Sequence, residues 1–334
     1  MRGLLVGLLL AVAPAATAAQ TPDPGAIVDA HILPGYRTLA ARAAELDRAA
    51  EADCDPSSAT LRQAYGDAFD AWVRVSHLRF GPSEEHDRAF ALAFWPDPRG
   101  AGPRTLAGFL QEGGAEVADL AAFRDVSVAA RGFYALERLL HDPDLRAAAA
   151  GDDARVCALI RLVAADIAQV SAALLVAWVD GHSDLMRGAG DNDVYRSRDE
   201  ALRQLFTALS TGLEFTSAVR LGRPLGTFDR PRPQRAEAWR SERSLRHVRL
   251  SLEATRDLAR HLSAGDAALD AAFARAIERV DRLDDPRFAG VATPQGRVRV
   301  EAVQRAVNEI RAQIAGELGP RLGISAGFNA LDGD

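Results

Sequence analysis

Lysine is absent from all 334 residues, so the 40 positive charges set against 46 negative ones are all arginine. The chain therefore has no side-chain amine for Schiff-base or amine-nucleophile chemistry. The balance, 40 − 46 = −6, lacks the basic excess of a nucleic-acid binder, so no nucleic-acid partner is expected. Only 2 Cys are present, which excludes a cysteine-rich zinc site and a disulfide-dense scaffold. Strand signals are missing: there is no alternating β-branched run and no Asn-Gly hairpin turn. None of the 7 His pairs at a three- or four-residue spacing, so the two-His helix ligand of common zinc peptidases is missing. No phosphate-cradling loop occurs. Gly323-Ile324-Ser325-Ala326-Gly327 matches G-x-S-x-G, but the strand that motif needs before it is not there.

What is present begins with an address. Residues 1–19 place Arg2 before an apolar run from Leu4 to Val12, and Ala16-Thr17-Ala18 follows as an A-x-A cleavage pattern. The run is shorter than the ~20 apolar residues that a bilayer span needs. We read a cleaved secretory signal, a mature chain from near Ala19 or Gln20, and no lipid anchor, because no Cys follows the run. No later stretch reads as transmembrane. An exported chain meets an oxidising compartment, where Cys54 and Cys157 either pair or stay as two separate buried thiols. A bridge would close a loop of 157 − 54 − 1 = 102 residues, for which chain entropy predicts ~4–5 kcal/mol.

The rest of the chain carries helical periodicity, and the expected fold is all-α. Stripes spaced by three and four run through Tyr36 to Leu46, Leu61 to Val75, Val156 to Trp178, Leu202 to Leu213 and Val303 to Leu318. Weaker patterns cover 126–141, 234–262 and 266–283. Ser57, Ser197 and Asp266 are suitable N-caps. The Gly- and Asp-rich stretch 187–196 breaks the pattern and suits a linker. The expected layout is a signal over 1–19, a helical bundle over 20–186 and a second bundle over 197–334. About four major helices on each side give two four-helix-bundle-like halves. The Pro- and Gly-rich stretches 81–104 and 222–234 would be the long connections.

Three polar residues interrupt this pattern. Arg79 falls in line with Leu61, and Arg220 with Leu202, each continuing an apolar stripe as its helix ends. Each is either a stem lying over the core edge or a guanidinium aimed at a site between the bundles. Glu137 lies ~20° from Val126 on the helical wheel, inside the stripe of Val126, Ala130, Phe133 and Leu140. A carboxylate there needs a partner or a cation. Arg79 and Arg220 are the candidate ion-pair partners, and Tyr134 is within reach on the same side. His77 falls opposite the Trp72 stripe, near Asp70, and reads as a surface residue.

Several blocks resemble the imelysin family of exported bacterial proteins: WVRVSHLRFGP from Trp72, FWPDPRG from Phe94, GFYALERLL from Gly132, LGRPLG from Leu221 and GFNALDGD from Gly327. In order, they span about 26–334. The resemblance implies two helical bundles, a periplasmic or envelope location and a link to iron. The family's hallmark, G-x-H-x-x-E, is proposed to bind metal. Gly132 and Glu137 match its ends, and Tyr134 stands where the His belongs. Tyr134 and Glu137 are therefore the candidate metal ligands, for iron or another divalent or trivalent ion, with Asp97, Asp332 and Asp334 as further oxygen donors. Tyr is a poor zinc ligand, and a catalytic zinc takes three protein ligands. The expected function is therefore periplasmic binding connected with iron or haem acquisition, in a groove between the bundles. The alternatives are a metal-dependent peptidase and a docking component that meets envelope uptake proteins.

Overall fold

The computed structural model describes residues 21–324. The signal segment, Ser325, Asp332 and Asp334 lie outside the described residues. The helices that frame the two halves, among the described residues, are α1 Leu33–Ala52, α2 Ala59–Val75, α3 Gly132–His141, α4 Asp153–Ala177, α5 Arg198–Glu214, α6 Ser244–Leu262, α7 Ala267–Asp281 and α8 Pro294–Gln313, and a further helix, Ala101–Glu112, opens at the end of the Pro- and Gly-rich 81–104 connection. Among the described residues there is no strand, only an isolated Thr227–Arg230 bridge.

Five of these helices, α2, α4, α5, α7 and α8, start on a side-chain cap. Ser197 accepts from the Glu200 N–H at 3.2 Å, and Asp266 accepts from the Leu269 N–H at 3.1 Å. The cap of α2 is Ser58 rather than Ser57, because Ser57 instead bonds Asp55 in the preceding turn. The stripes bury as their spacing predicts. Tyr36, Leu39, Ala43 and Leu46 of α1 pack on α2 and α4, and α3 also rests on α4. In the second half α5 packs on α6 and α8, α6 on α7, and α7 on α8. The all-α, two-half expectation therefore holds, and α2 against α6 joins the halves.

Cys54 and Cys157 form a disulfide, tying the end of α1 to α4. Helix α4 continues through a wider turn, Trp178–His182, into Ser183–Arg187. That 35-residue run is long and apolar enough to cross a membrane by length and composition, which the sequence reading did not expect. Within the fold it packs on α1 and α3 and holds buried Asp166 in an ion pair with Arg131. The 187–196 stretch is pinned rather than loose: the Asn192 amide donates to the Leu185 and Gly188 carbonyls, and Tyr195 bonds His182 at 2.9 Å.

Helix α3 begins at Gly132 instead of at 126, because Val128–Ala130 is a tight 3₁₀ turn. Gly132 sits at φ +71°, and a Cβ there would lie 2.2 Å from the Leu92 carbonyl oxygen. Only glycine combines that conformation with so close an approach. This residue therefore sets α3 against the 81–104 connection, and with it the position of Tyr134 and Glu137.

Candidate functional site

At the junction of the halves, Asp70 of α2 takes both Arg243 and Arg246 from the start of α6, and Arg74 pairs with Glu253 at 2.7 Å. Beyond this seam the end of α2, residues 76–95 and Tyr134 face α5 and its continuation Phe215–Leu221. A cleft of about 560 Å³ lies between them. Trp72, Phe90, Trp95 and Phe215 give it aromatic walls. The Arg79 guanidinium lies 4.7 Å over Phe90, and that of Arg220 lies 4.9 Å over Phe215.

The cleft ends on a buried polar cluster centred on Glu237. Arg220 Nε donates to its Oε2 at 2.7 Å and Tyr134 Oη donates to its Oε1 at 2.5 Å. His247 Nδ1 lies 3.2 Å from the same carboxylate. Arg220 also donates to Ser251 at 3.0 Å and reaches Ser76 of the other half at 3.4 Å. Burial alone would raise the Glu237 pKa, but the Arg220 guanidinium and the His247 ring hold it well below the usual carboxylate range. Burial, then the Glu237 charge, pushes the Tyr134 hydroxyl well above its usual value. The cluster is thus an ionised carboxylate with a neutral phenol leaning on it.

A second chain of polar groups leaves the cleft. His77 lines it and is buried, and its Nε2 lies 3.0 Å from Nε2 of His31. His31 Nδ1 lies 2.7 Å from Asp257. With Nδ1–H of His31 given to that carboxylate, its Nε2 accepts from His77. Burial, then His31 and Arg220, keeps His77 well below the ordinary imidazole value, hence neutral. Asp257 and His31 line a separate surface depression, so the chain of groups links cleft to surface.

The expected residues divide unevenly. Arg220 belongs to the cluster, and Arg79 stands at the cleft rim. Arg79 lies past the end of α2, so its helical-wheel position does not apply, and Glu84 takes it at 2.6 Å. Neither arginine pairs with Glu137. Glu137 Oε1 instead accepts from the Ser241 N–H at 3.0 Å and from the Ser241 hydroxyl at 2.9 Å. Burial raises its pKa, and the Ser241 bonds and Arg240 offset only part of that. Asp97 caps the helix Ala101–Glu112, its two oxygens taken by the Ala101 and Gly102 N–H groups. His77 is not a surface residue: α2 stops at Val75, and the following turn directs His77 against Gly212 of α5. A Cβ on Gly212 would lie 2.6 Å from that of His77.

Sequence reasoning missed Glu237, His247, Ser251 and His31. Glu237 falls at the head of the weak 234–262 pattern, but the helix begins only at Ser244, so the residue lies in an irregular Arg- and Pro-containing stretch where no helical face marks it, and the other three find their partners across the fold. The one available signal was an acidic residue beside Ala236 and Ala238 in that stretch, both buried.

Iron is the metal that the resemblance implies, and Tyr134 and Glu137 do not fit it. The phenol proton is committed to Glu237, phenolate is disfavoured, and Glu137 is held by Ser241. Among the described residues no three His, Cys, Asp or Glu side chains stand together as a donor set.

The architecture defines a class: an all-helical protein of two bundle-like halves with an aromatic, arginine-bearing cleft at their junction. The sequence profile of imelysin (Peptidase M75) matches residues 32–314, and the chain belongs to that family. It is 25% identical over 311 residues to iron-regulated protein A of Synechococcus elongatus, covering 84% of this chain and 80% of the relative. An imelysin-like protein from Psychrobacter arcticum superposes with a TM-score of 0.71 at 18% identity, covering 91% of this chain and 96% of that one. A putative iron-regulated protein A precursor from Parabacteroides distasonis gives 0.69 at 13%, covering 89% and 97%. These structures share the fold, and the family ties the chain to iron-related proteins.

Proposed function

We propose that the protein is an exported, periplasmic binding component connected with iron or haem acquisition, and that the junction cleft is its ligand site. The observation that carries this reading is the cleft itself. Its volume, about 560 Å³, falls in the ~300–1,000 Å³ range of small-molecule sites. Aromatic walls favour a flat ligand, and Arg79 and Arg220 favour anionic groups on it. The relatives' names supply the link to iron. The ligand is therefore a whole iron-bearing molecule, with haem or a ferric chelate as the class, rather than a bare ion held by Tyr134 and Glu137. An envelope uptake protein would receive it. No three-donor set stands among the described residues, so the peptidase reading has no observation to carry it.

The test is a titration of the purified protein with hemin, and separately with ferric, ferrous and zinc ions. Ala218 lines the cleft from an exposed position, so Ala218→Trp fills it without entering the core. We expect saturable hemin binding that weakens at least tenfold in Ala218→Trp, with no bare metal retained at stoichiometry. A metal ion retained one-to-one and lost in Glu137→Gln would overturn this reading, as would hemin affinity indifferent to the plug.

A further inference from the structure

On the far side of Tyr134 and Trp95 lies a second pocket, of about 300 Å³. Four arginines line it: Arg138, Arg223, Arg235 and Arg240. Arg138 and Arg240 share one carboxylate, Asp142, at 3.0 and 2.9 Å. Arg223 and Arg235 have no carboxylate within ion-pair distance among the described residues. Arg223 Nε is buried without a hydrogen-bond partner. A buried, unsatisfied guanidinium N–H is costly unless something accepts from it.

The acidic groups of the pocket do not supply that acceptor. Both oxygens of Asp97 are taken by helix N–H groups. Glu137 is turned to Ser241, and burial moves it toward its neutral form. The pocket thus holds more cations than anions, with a planar fork left open and two indole faces beside it. The Arg223 guanidinium lies 5.7 Å over Trp95, and that of Arg240 lies 4.4 Å over Trp239.

We propose that this arginine pocket binds a small organic polycarboxylate, with Arg223 and Arg235 taking one carboxylate and Arg138 and Arg240 another. Guanidinium forks match carboxylates and phosphates alike, so size and lining decide between them. The volume, about 300 Å³, is roughly ten times the ~30 Å³ share of one water, more than a single inorganic oxyanion fills. The arginines fall into two neighbouring pairs, Arg223 with Arg235 and Arg138 of α3 with Arg240, which suits two anionic groups joined by a carbon frame better than one. The proposal stands apart from the cleft reading and fails or holds without it.

The experiment is calorimetric titration of the purified protein at low salt and pH 7, with citrate, succinate and inorganic phosphate as probes. Arg235 is exposed, so Arg235→Gln tests the site without endangering the fold, and Arg223→Gln tests the half-buried fork whose Nε lacks a partner. We expect citrate to bind at one site, at least tenfold more tightly than phosphate. The affinity should fall at least tenfold in each variant and decline as salt rises. The cleft-filling Ala218→Trp should leave citrate binding intact, which separates failure of this site from failure of the cleft. No citrate binding, citrate affinity unchanged in Arg235→Gln, or phosphate binding as tightly as citrate would each overturn the proposal.

Discussion

Two buried arginine–carboxylate pairs occupy this molecule, and they differ in company. Arg131 and Asp166 lie within the first half. Arg131 Nε and Nη2 grip both oxygens of Asp166 at 3.0 and 2.6 Å, and Nη1 closes on the Arg124 carbonyl. Arg220 and Glu237 lie at the junction, where Tyr134, His247, Ser251 and Ser76 crowd around them and a cleft opens beside them. The pKa directions follow the company. For Asp166, burial outweighs its one ion-pair partner Arg131 together with the nearby Arg124 charge, and the carboxyl is raised. For Glu237, Arg220 and His247 outweigh burial and the carboxyl is lowered. A pair with one partner serves the packing of its own bundle. A pair with partners drawn from both halves connects packing to the cleft.

The sharpest way to break this comparison is to remove each cation in turn. Arg131→Met strands a fully buried carboxylate with no other ion-pair partner. It should cost about 3–5 kcal/mol in denaturant unfolding. Arg220→Met leaves Glu237 its bond from Tyr134 and the His247 ring 3.2 Å away. The loss should be smaller, about 1–3 kcal/mol. An equal loss in both variants would mean that the extra partners of Glu237 contribute little.

Acid sharpens the contrast, because the two carboxylates respond in opposite directions. Glu237 is lowered by folding, so the stability it contributes is present above its unfolded value and lost as pH falls toward its folded one. Asp166 is raised by folding, so its contribution is present below its unfolded value and lost as pH rises through its folded one. Each limit is about 1.4 kcal/mol per pH unit. Unfolding of Glu237→Gln and Asp166→Asn, followed from pH 6 to 3, should therefore diverge from the parent with opposite slopes. Parallel slopes would contradict the assignment.

The smallest expected effect is at Tyr134. Its hydroxyl is one of two hydrogen-bond donors to Glu237 among the described residues, the other being Arg220, so Tyr134→Phe should cost about 1 kcal/mol. The same variant should leave any metal content unchanged, since the phenol is a hydrogen-bond donor here and not a ligand.

Much of the fold was legible because helical burial is periodic. Leu61, Tyr65, Ala68, Trp72 and Val75 announce a buried face, and each is buried. The Cys54–Cys157 bridge was legible as one of two readings, because two cysteines allow a single pairing or none. Gly132 and Glu137 stood out, the first by motif and the second as a charge in an apolar stripe. The site itself was only half visible. Its central carboxylate, Glu237, lies in an irregular turn ahead of α6, where the weak 234–262 period does not yet correspond to a helix. His77 was misread because α2 stops at Val75, and Arg79 reaches the cleft rim from beyond that end, so the wheel that placed both no longer applies. The His31–His77 contact joins residues 46 apart in sequence, and nothing local encodes it.

The central claim is that the Arg220–Glu237 cluster belongs to a ligand site while Arg131–Asp166 belongs to the packing. The most direct test measures hemin affinity of Arg220→Met and Arg131→Met side by side, at a temperature where both remain folded. The account predicts at least a tenfold loss in Arg220→Met and an affinity within twofold of the parent in Arg131→Met. Equal losses in the two, or no loss in Arg220→Met, would contradict it.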